Sequence, residues 1–300
     1  MKSLSVFLKT SMTLVFALFS LLLMAQSKPN IVILATGGTI AGAGTSATGS
    51  EYTSGQVKID AMIDAVPNIR DLANLRGEQI SNVGSQDMSV KIWLDLANRI
   101  NTLLAGKDVD GIVITHGTDT QEETAYFRDL VVKSDKPVVL TGSMRPSTAL
   151  SAEGPLNLYN AVAVAANPAS KGYGVMVVMN DEIHSAKDVR KMITTPVQTF
   201  QSPQEGLIGT AIFGQVEFLH KPNGKHTLQS EFSVEGVTSL PRVDIVYACA
   251  DMSPDLIDIM VKAGAKGIVI AGVGDGNMTT ATLEAAKKAV DQQLESRLVE

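Results

Sequence analysis

Short apolar runs alternate with helical stretches along most of this sequence, and this alternation constrains the fold more than any other feature. The runs are rich in β-branched residues and have the length of buried strands, whereas the stretches between them have helical spacing. Strands that alternate with helices form parallel sheets with helices on both faces. The predicted strands are Ile31–Ala35, Gly111–Thr115, Pro137–Thr141 and Gly174–Met179, and the predicted helices lie at 89–105, 120–134 and 155–167.

A polar stretch at 219–241 interrupts this alternation and predicts a linker, because it contains Gly and Pro and lacks periodicity. A second βαβ pattern follows it. The sequence therefore predicts an α/β protein with a larger N-terminal parallel-sheet domain at 26–218 and a smaller, incomplete C-terminal α/β domain at 242–300. The elements predicted in the smaller domain are strand Val243–Ala248, helix Pro254–Ala263, strand Gly267–Ala271 and a helix from Thr280.

The first 25 residues have the composition of a secretory signal peptide. Lys2 and Lys9 precede an apolar block at 13–25 that is short for a membrane span, and Ala25 is a small residue suited to cleavage. An uncleaved anchor is the alternative. Cys249 is the single cysteine, so no intrachain disulfide can form after export, and its apolar neighbours predict a buried, inert thiol.

The net charge of the chain and the spacing of its histidines limit the classes of ligand that we expect it to bind. A formal net charge of −6 without a Lys/Arg cluster argues against nucleic acid or an anionic membrane and favours a small uncharged or zwitterionic ligand. The segment 42–47 approaches a dinucleotide fingerprint, but no helix pattern follows it. The spacing of the histidines argues against a zinc site; they are His116, His184, His220 and His226.

Hydroxyl groups gather where the predicted strands end. The stretch "ILATGGTIA" places Thr36 and Thr39 around two glycines after the first strand, and "HGTDT" at 116–120 follows the second. Ligands of α/β proteins bind at the carboxyl ends of parallel strands, where free N–H groups of a following helix can bind an oxyanion. Either segment, taken alone, is also compatible with a purely structural turn.

Three further segments add polar groups. The stretch 41–55 is rich in Gly, Ser and Thr and predicts a mobile flap with Tyr52 as its large polar side chain. "VGSQDM" contributes Ser85 and Gln86, and an irregular segment after the fourth strand carries Lys191. Hydroxyls near a base, a carboxylate and backbone donors suit acyl transfer. A periplasmic amino-acid-binding protein without catalytic activity is the alternative that the residues leave open.

Five ordered segments resemble the bacterial asparaginase and glutaminase family: "ILATGGTIA", "VGSQDM", "GIVITHGTDT", "GSMRPSTALSAEGPLNLYNA" and "VVMNDEIHSAKDVRK". The resemblance runs from about Asn30 to about Val290 and, with the signal peptide, points to the exported, type II branch of that family, in the periplasm. It implies hydrolysis of L-asparagine, and to varying degrees L-glutamine, to the acid and ammonia. It also implies no cofactor and no metal, and a homotetramer in which neighbouring subunits complete each active site.

The resemblance assigns catalytic roles to two polar sets. Thr39 is the implied nucleophile, and Tyr52 is the group that helps to activate it. In the second set Lys191 eases the deprotonation of Thr118, and Asp119 binds the substrate α-ammonium group. A threonine hydroxyl is a weak acid, so a neighbouring group has to share its proton. We expect a double displacement with an acyl-enzyme on Thr39.

The remaining implied contacts are with substrate. Ser85 and Gln86 receive the α-carboxylate and α-amine, together with Thr118 and Asp119, and Asn277 reaches into the partner's site. Gln121 departs from the residue that often follows this motif in the family. The family also continues well beyond this chain's last residues, so the small domain is expected to be incomplete, with poor assembly and weakened activity.

Overall fold

The computed structural model describes residues 27–49, 51–291 and 295–299, so the predicted signal peptide at 1–25 lies outside the described residues. The chain divides into two compact units, and the boundary along the sequence falls between Gly236 and Val237, inside the stretch 219–241. No helix in the described ranges is long and apolar enough to cross a membrane.

The first unit is built on an eight-stranded sheet. The strands are β1 (Asn30–Gly37), β2 (Asn74–Val83), β3 (Gly111–Thr115), β4 (Val138–Thr141), β5 (Val175–Met179), β6 (Glu182–Ser185), β9 (Gly209–Ile212) and β10 (Gln215–Phe218). A separate two-stranded ribbon consists of β7 (Arg190–Lys191) and β8 (Phe200–Gln201). The helices are α1 (Ile59–Asp64), α2 (Ile69–Leu72), α3 (Val90–Ala105), α4 (Gln121–Val131) and α5 (Gly154–Ala166).

The sheet is mixed, with the strand order β10-β9-β6-β5-β4-β3-β1-β2. Strands β1 to β5 pair in parallel, whereas β6, β9 and β10 pair antiparallel. Two tight hairpins cause this change: Asn180 and Asp181 connect β5 to β6, and Phe213 and Gly214 connect β9 to β10, all with positive φ. Two-residue turns with positive φ join antiparallel strands, so the parallel sheet that we predicted is extended by an antiparallel part.

Helices cover both faces of this sheet, as the sequence predicted, because successive side chains of a strand point to opposite faces. In β1, Ile31 and Ile33 pack into a core formed with α1, α2 and α5. Val32 and Leu34 pack into a second core formed with α3 and α4. The α/β fold class is confirmed.

Several elements differ from their predicted form. The four predicted strands and three predicted helices of this unit are present with ends shifted by a few residues, but β2 and the strands from β6 to β10 were not predicted. The edge strand β2 mixes charged and apolar residues and is half exposed, so it lacks the pattern of a buried strand. The segment predicted as irregular contains β6 and β7, and Lys191 lies on the latter.

The second unit contains a three-stranded parallel sheet in the order β11-β12-β13. Its strands are β11 (Val243–Tyr247), β12 (Gly267–Ala271) and β13 (Glu295–Val299), and its helices are α6 (Asp255–Lys262) and α7 (Thr280–Asp291). The third strand was not predicted. The thiol of Cys249 is exposed, because β11 ends at Tyr247 and Cys249 lies in the following loop; the prediction of a buried thiol is therefore wrong.

Candidate active site

Glycines bring the ends of β1 and β3 together. Gly37 and Gly38 have φ values of 107° and 79°, which residues with a side chain rarely adopt. A Cβ on Gly38 would overlap the backbone of Gly117, which lies just beyond β3, and a Cβ on Gly117 would lie 3.1 Å from the Gly38 Cα. The turns after these two neighbouring strands therefore lie side by side, and the hydroxyl groups that follow them share one edge of the sheet.

The two threonines around these glycines have different surroundings. The Thr36 hydroxyl is buried and donates to the carbonyl oxygen of Thr115 at 2.9 Å, so it ties β1 to β3. Thr39 opens a short 3₁₀ turn at Thr39–Ala41, and its Oγ1 lies 2.6 Å from the Tyr52 Oη. Thr36 is thus a structural residue, while the Thr39 hydroxyl contacts the phenol hydroxyl of Tyr52.

The predicted flap is attached to the sheet edge at several points. Ala43 and Thr53 exchange backbone hydrogen bonds of 3.1 and 3.0 Å, which close the segment into a loop around Tyr52. The Tyr52 ring packs against Gly42, where a Cβ would lie 2.7 Å from the ring. Tyr52 is 40% exposed and Thr39 is buried, so the phenol lies between solvent and the Thr39 hydroxyl.

A second polar set follows β3. The Lys191 ammonium group donates to Thr118 Oγ1 at 2.9 Å and to Asp119 Oδ1 at 2.6 Å. Thr118 is buried, whereas 58% of the Asp119 side chain is exposed. The positive charge of Lys191 lies against a threonine oxygen and stabilises negative charge that develops there. The exposed carboxylate of Asp119 is available to a cationic group of a ligand.

The backbone around Lys191 is fixed. The ribbon of β7 and β8 pairs Lys191 with Phe200, and the Lys191 N–H donates to Glu122 Oε2 at 2.5 Å. Glu122 lies in the first turn of α4, directly after the "HGTDT" segment. A cavity of about 300 Å³ borders Asp119, Glu122 and Lys191. The lysine therefore reaches the Thr118 turn from a distant part of the sequence through a defined set of contacts.

Ser85 lies with the second polar set, and the other predicted substrate contacts are less connected. Ser85 is buried, and its Oγ accepts a hydrogen bond from the Asp119 N–H at 3.1 Å. Gln86 is exposed, and its amide contacts only its neighbour Asp87, at 3.2 Å, among the described residues. Asn277 belongs to the second unit, where its backbone pairs with Val273.

A buried hydrogen-bond network behind the Thr118 turn was missed by sequence reasoning. His116 is fully buried; its Nδ1 lies 2.7 Å from the Gly117 carbonyl oxygen, and its Nε2 lies 2.9 Å from Thr124 Oγ1. The Trp93 indole N–H donates to the same hydroxyl at 2.8 Å. Burial lowers the pKa of His116 to about 4, so the imidazole is neutral at pH 7.

Two other side chains of α4 are fully buried. The Gln121 amide and the Arg128 guanidinium form no hydrogen bond with any part of the chain that the structure describes. Burial lowers the pKa of Arg128 to about 9, and its guanidinium lies over the Phe127 ring at 5.1 Å. Gln121 is the residue that we noted as a departure from the family pattern.

The fold is that of an α/β protein, and its candidate site holds two threonine hydroxyls. One is paired with a phenol and the other with an ammonium group, an arrangement suited to acyl transfer. Comparisons with known proteins identify the family. The family model described as "Asparaginase, N-terminal" matches residues 30–224, and "Glutaminase/Asparaginase C-terminal domain" matches residues 242–295. The chain belongs to the asparaginase/glutaminase family.

Individual relatives cover most of the chain. A protein of Haemophilus influenzae named "Probable L-asparaginase periplasmic" is 53% identical over 265 residues, which are 88% of this chain and 75% of that protein. The "Glutaminase-asparaginase" of Acinetobacter glutaminasificans is 49% identical over 269 residues, 89% of this chain and 81% of that protein. A solved structure titled "Probable Cytoplasmic L-asparaginase from Campylobacter jejuni" superposes with a TM-score of 0.88 at 47% identity and covers 90% of this chain and 83% of that one.

Proposed function

We propose that this chain is an amidohydrolase that converts L-asparagine, and also L-glutamine, to the corresponding acid and ammonia. The observation that carries the proposal is the presence of two hydroxyl pairs on adjacent turns, Thr39 with Tyr52 at 2.6 Å and Thr118 with Lys191 at 2.9 Å. Family membership and the names of the relatives support the substrate class.

In the proposed reaction Thr39 Oγ1 attacks the side-chain amide carbon of the substrate, and its hydroxyl proton passes to Tyr52 Oη while the phenol's own proton passes to the amide nitrogen. The tetrahedral intermediate then collapses to an ester on Thr39 as the protonated amide nitrogen leaves as ammonia. Water then attacks the ester, and the acid is released with Thr39 regenerated. Splitting the hydrolysis through a covalent ester replaces one difficult step by two easier ones.

The second set holds the substrate and stabilises charge. Lys191 stabilises the deprotonated form of the Thr118 hydroxyl, because its ammonium group already donates to Thr118 Oγ1. The exposed Asp119 carboxylate binds the substrate α-ammonium, and Ser85 and Gln86 contribute to binding the α-carboxylate and α-amine. Asn277 contributes to a neighbouring subunit's site in the proposed homotetramer.

We further propose that the protein acts in the periplasm. The charged start and apolar block of residues 1–25 support export, as does the name of the Haemophilus influenzae relative, which includes the word periplasmic. The Campylobacter jejuni structure is titled cytoplasmic, so a secretion assay with the intact N-terminus is needed to decide between the two compartments.

The decisive experiment measures ammonia release from L-asparagine and L-glutamine by the purified protein, alongside its mass in solution. Thr39→Ala is the matched control for contaminating activity. Thermal stabilisation by L-asparagine without ammonia release would reject the proposal and favour an amino-acid-binding protein. Rapid release that the Thr39 variant lacks supports it.

A further inference from the structure

We propose that a cavity at the amino ends of the parallel strands is a second binding site, separate from the candidate active site, for a small zwitterion of the α-amino acid class. The cavity has a volume of about 170 Å³ and is lined by α4, the start of β5, the end of β6 and residues 222–226. Val175, the first residue of β5, lies in register with Val138, the first residue of β4. Since Thr39 and Thr118 follow the carboxyl ends of β1 and β3, the cavity lies toward the opposite edge of the sheet.

The most deeply buried charged group of this cavity is the carboxylate of Asp129. The residue lines the cavity, yet only 7% of it is exposed. Its Oδ1 accepts the Val175 N–H at 2.8 Å, whereas no described residue donates to Oδ2 or forms an ion pair with the carboxylate. Burying a carboxylate is costly unless a partner compensates its charge. Oδ2 is therefore the polar atom that Asp129 offers to a cationic donor in the cavity.

A glycine keeps the space around this carboxylate open. Gly174 has a φ of 70°, and a Cβ at this position would lie 2.6 Å from Asp129 Oδ1 and 2.9 Å from His226 Nδ1. A side chain there would thus overlap both groups, which meet at the wall of the cavity. The absence of a side chain at position 174 lets a carboxylate from α4 and an imidazole from residues 222–226 line the same space.

Lys225 supplies a positive charge to the same cavity. It lies in an exposed loop, lines the cavity and forms no hydrogen bond or ion pair through its ammonium group in the described part of the chain. The other lysine of the lining, Lys187, is already paired with Glu205 at 3.1 Å. Burial and the charge of Lys221 lower the pKa of His226, so its imidazole is neutral at pH 7. One unpaired ammonium group therefore faces the cavity together with one unpaired carboxylate.

A cavity with one charge of each sign complements a molecule that carries both. The ligand's ammonium group donates to Asp129 Oδ2, and its carboxylate accepts from Lys225; a simple cation or a simple anion would leave one of these two groups unpaired. A single water needs about 10–15 Å³ of such space, so the cavity has room for a molecule of amino-acid size. The other walls are largely polar and favour a polar side chain on the ligand. They include Tyr126, Tyr173, Ser185 and Asn223.

The test is a calorimetric titration of the purified protein carrying Asp119→Ala, which removes the proposed α-ammonium contact at the candidate active site. L-Serine is the probe; 3-hydroxypropionate lacks its ammonium group, and ethanolamine lacks its carboxylate. We expect a Kd of about 1 mM or below for L-serine and a Kd at least about 30-fold higher for the other two. Equal affinity for either comparison compound, or no binding of L-serine, overturns the proposal. Because binding and not turnover is measured, the result does not depend on the proposed function.

Substitutions in the same background locate the binding. Asp129→Asn keeps an acceptor for Val175 but removes the buried charge, so the Kd for L-serine is expected to rise at least about 30-fold. Lys225→Met removes an exposed charge and is expected to raise it about fivefold. The matched controls, Asp95→Asn and Lys91→Met, alter a surface pair of 2.6 Å on α3 and should leave the Kd unchanged. An unchanged Kd in both cavity variants, or equal effects in the controls, overturns the proposal; if Asp129→Asn does not fold, Lys225→Met decides.

The pH dependence of binding provides a second readout. Burial raises the pKa of Asp129 to about 7, and the ligand's ammonium group binds the ionised carboxylate. The Kd for L-serine is therefore expected to be about tenfold higher at pH 6 than at pH 8. His226→Gln cannot titrate and is expected to keep this change, which separates Asp129 from the imidazole; a Kd that does not rise at pH 6, in the parent or in this variant, overturns the role of the carboxylate. The other titratable groups that face Asp129 across the cavity are Lys187, Lys225, Tyr126 and Tyr173.

Discussion

Thr39 and Tyr52 place their side-chain oxygens 2.6 Å apart across thirteen residues of chain. The contact depends on the loop that the Ala43–Thr53 backbone pair closes and on Gly42, which makes room for the phenol ring. The hydroxyl of Thr36, the first threonine of the same "TGGT" motif, donates instead to the backbone carbonyl of Thr115. Of these two hydroxyls, three residues apart, that of Thr36 holds two strands together, whereas that of Thr39 is available to react.

This difference predicts opposite outcomes for two substitutions in one motif. Thr39→Ala is expected to abolish ammonia release while leaving the fold and aspartate binding largely intact, since it removes the nucleophile but none of the proposed contacts with the α-groups. Thr36→Val is expected to keep kcat and to lower the free energy of unfolding by about 1 kcal/mol, the cost of one lost hydrogen bond. Steady-state kinetics with thermal unfolding checks both. Parent-like turnover in the Thr39 variant would exclude it as the nucleophile.

Tyr52→Phe keeps the ring that packs on Gly42 and removes only the oxygen beside Thr39. We expect kcat to fall by about 10²- to 10³-fold, the usual size of a lost general base, with little change in KM. Tyr126→Phe is the control, because Tyr126 is exposed to a similar degree, 43% against 40%, and is not part of the proposed site. An equal effect of the two substitutions would contradict the role given to the phenol.

Lys191→Met is expected to lower kcat by several orders of magnitude, because Thr118 Oγ1 loses the charge that stabilises its deprotonated form. The comparison is Lys187→Met on the same stretch of chain, where the ammonium group pairs with Glu205 at 3.1 Å and is half exposed. Surface pairs of this kind contribute at most about 1 kcal/mol, so this variant should keep full turnover. If Lys191 were only a surface charge, both variants would behave alike.

The sequence predicted those parts of the fold that its local patterns encode. Buried β-branched runs such as Ile31–Ala35 and amphipathic helices such as 89–105 lie where expected, because their periodicity reflects burial on defined faces. The hairpin between β9 and β10 was missed because its turn holds Phe213 at positive φ, a conformation that bulky residues rarely adopt. The hairpin between β5 and β6 turns at Asn180 and Asp181, a pair of turn residues that the sequence analysis did not use. Strand β7, which carries Lys191, has only two residues and no periodicity at all.

Motif resemblance assigned roles to more residues of the candidate site than the residue pattern alone did. Thr39 with Tyr52 and Thr118 with Lys191 are brought within hydrogen-bond distance, as the proposed roles require. Sequence reasoning gave no role to His116, although it is part of the "HGTDT" segment, because its partners Thr124 and Trp93 come from two helices whose packing the sequence does not reveal. Contacts between segments that are far apart in the sequence depend on how the helices pack, so local sequence patterns do not predict them.

Replacing Arg128 is expected to stabilise the protein. Its guanidinium is fully buried and forms no hydrogen bond within the described ranges, so folding removes its hydration without a replacement. Arg128→Met, of similar length and apolar, should raise the free energy of unfolding by about 1–4 kcal/mol. Arg99→Met is the control: Arg99 forms two hydrogen bonds to Glu78 at 2.7 and 2.8 Å on the surface, so its loss should destabilise by at most about 1 kcal/mol. Chemical denaturation of both variants measures the difference, and a destabilised Arg128 variant would mean that the charge has a compensating partner.

The carboxyl group of Asp129 makes stability depend on pH in a direction that can be tested. Asp129 is buried beside a cavity of about 170 Å³, and its Oδ1 accepts the Val175 N–H at 2.8 Å. Burial raises the pKa of Asp129 from 3.8 to about 7, despite the opposing effect of that hydrogen bond. The folded state therefore holds this proton over a pH range in which the unfolded chain has lost it.

The contribution of such a group is fully present below pH 3.8 and is lost as the pH rises toward 7. Asp129→Asn keeps the acceptor for Val175 but cannot ionise, and the neighbouring cavity gives room for water to reach the new amide. We expect the unfolding free energy of the variant, minus that of the parent, to increase between pH 4 and pH 7 by up to about 4 kcal/mol and to be constant above pH 8. Asp135→Asn is the control: Asp135 pairs with Lys171 at 3.2 Å on the surface, and its difference curve should stay within about 1 kcal/mol. Urea denaturation at a series of pH values measures both curves. A flat curve for Asp129→Asn would show that the parent carboxylate ionises at an ordinary pH and is better solvated than its burial indicates.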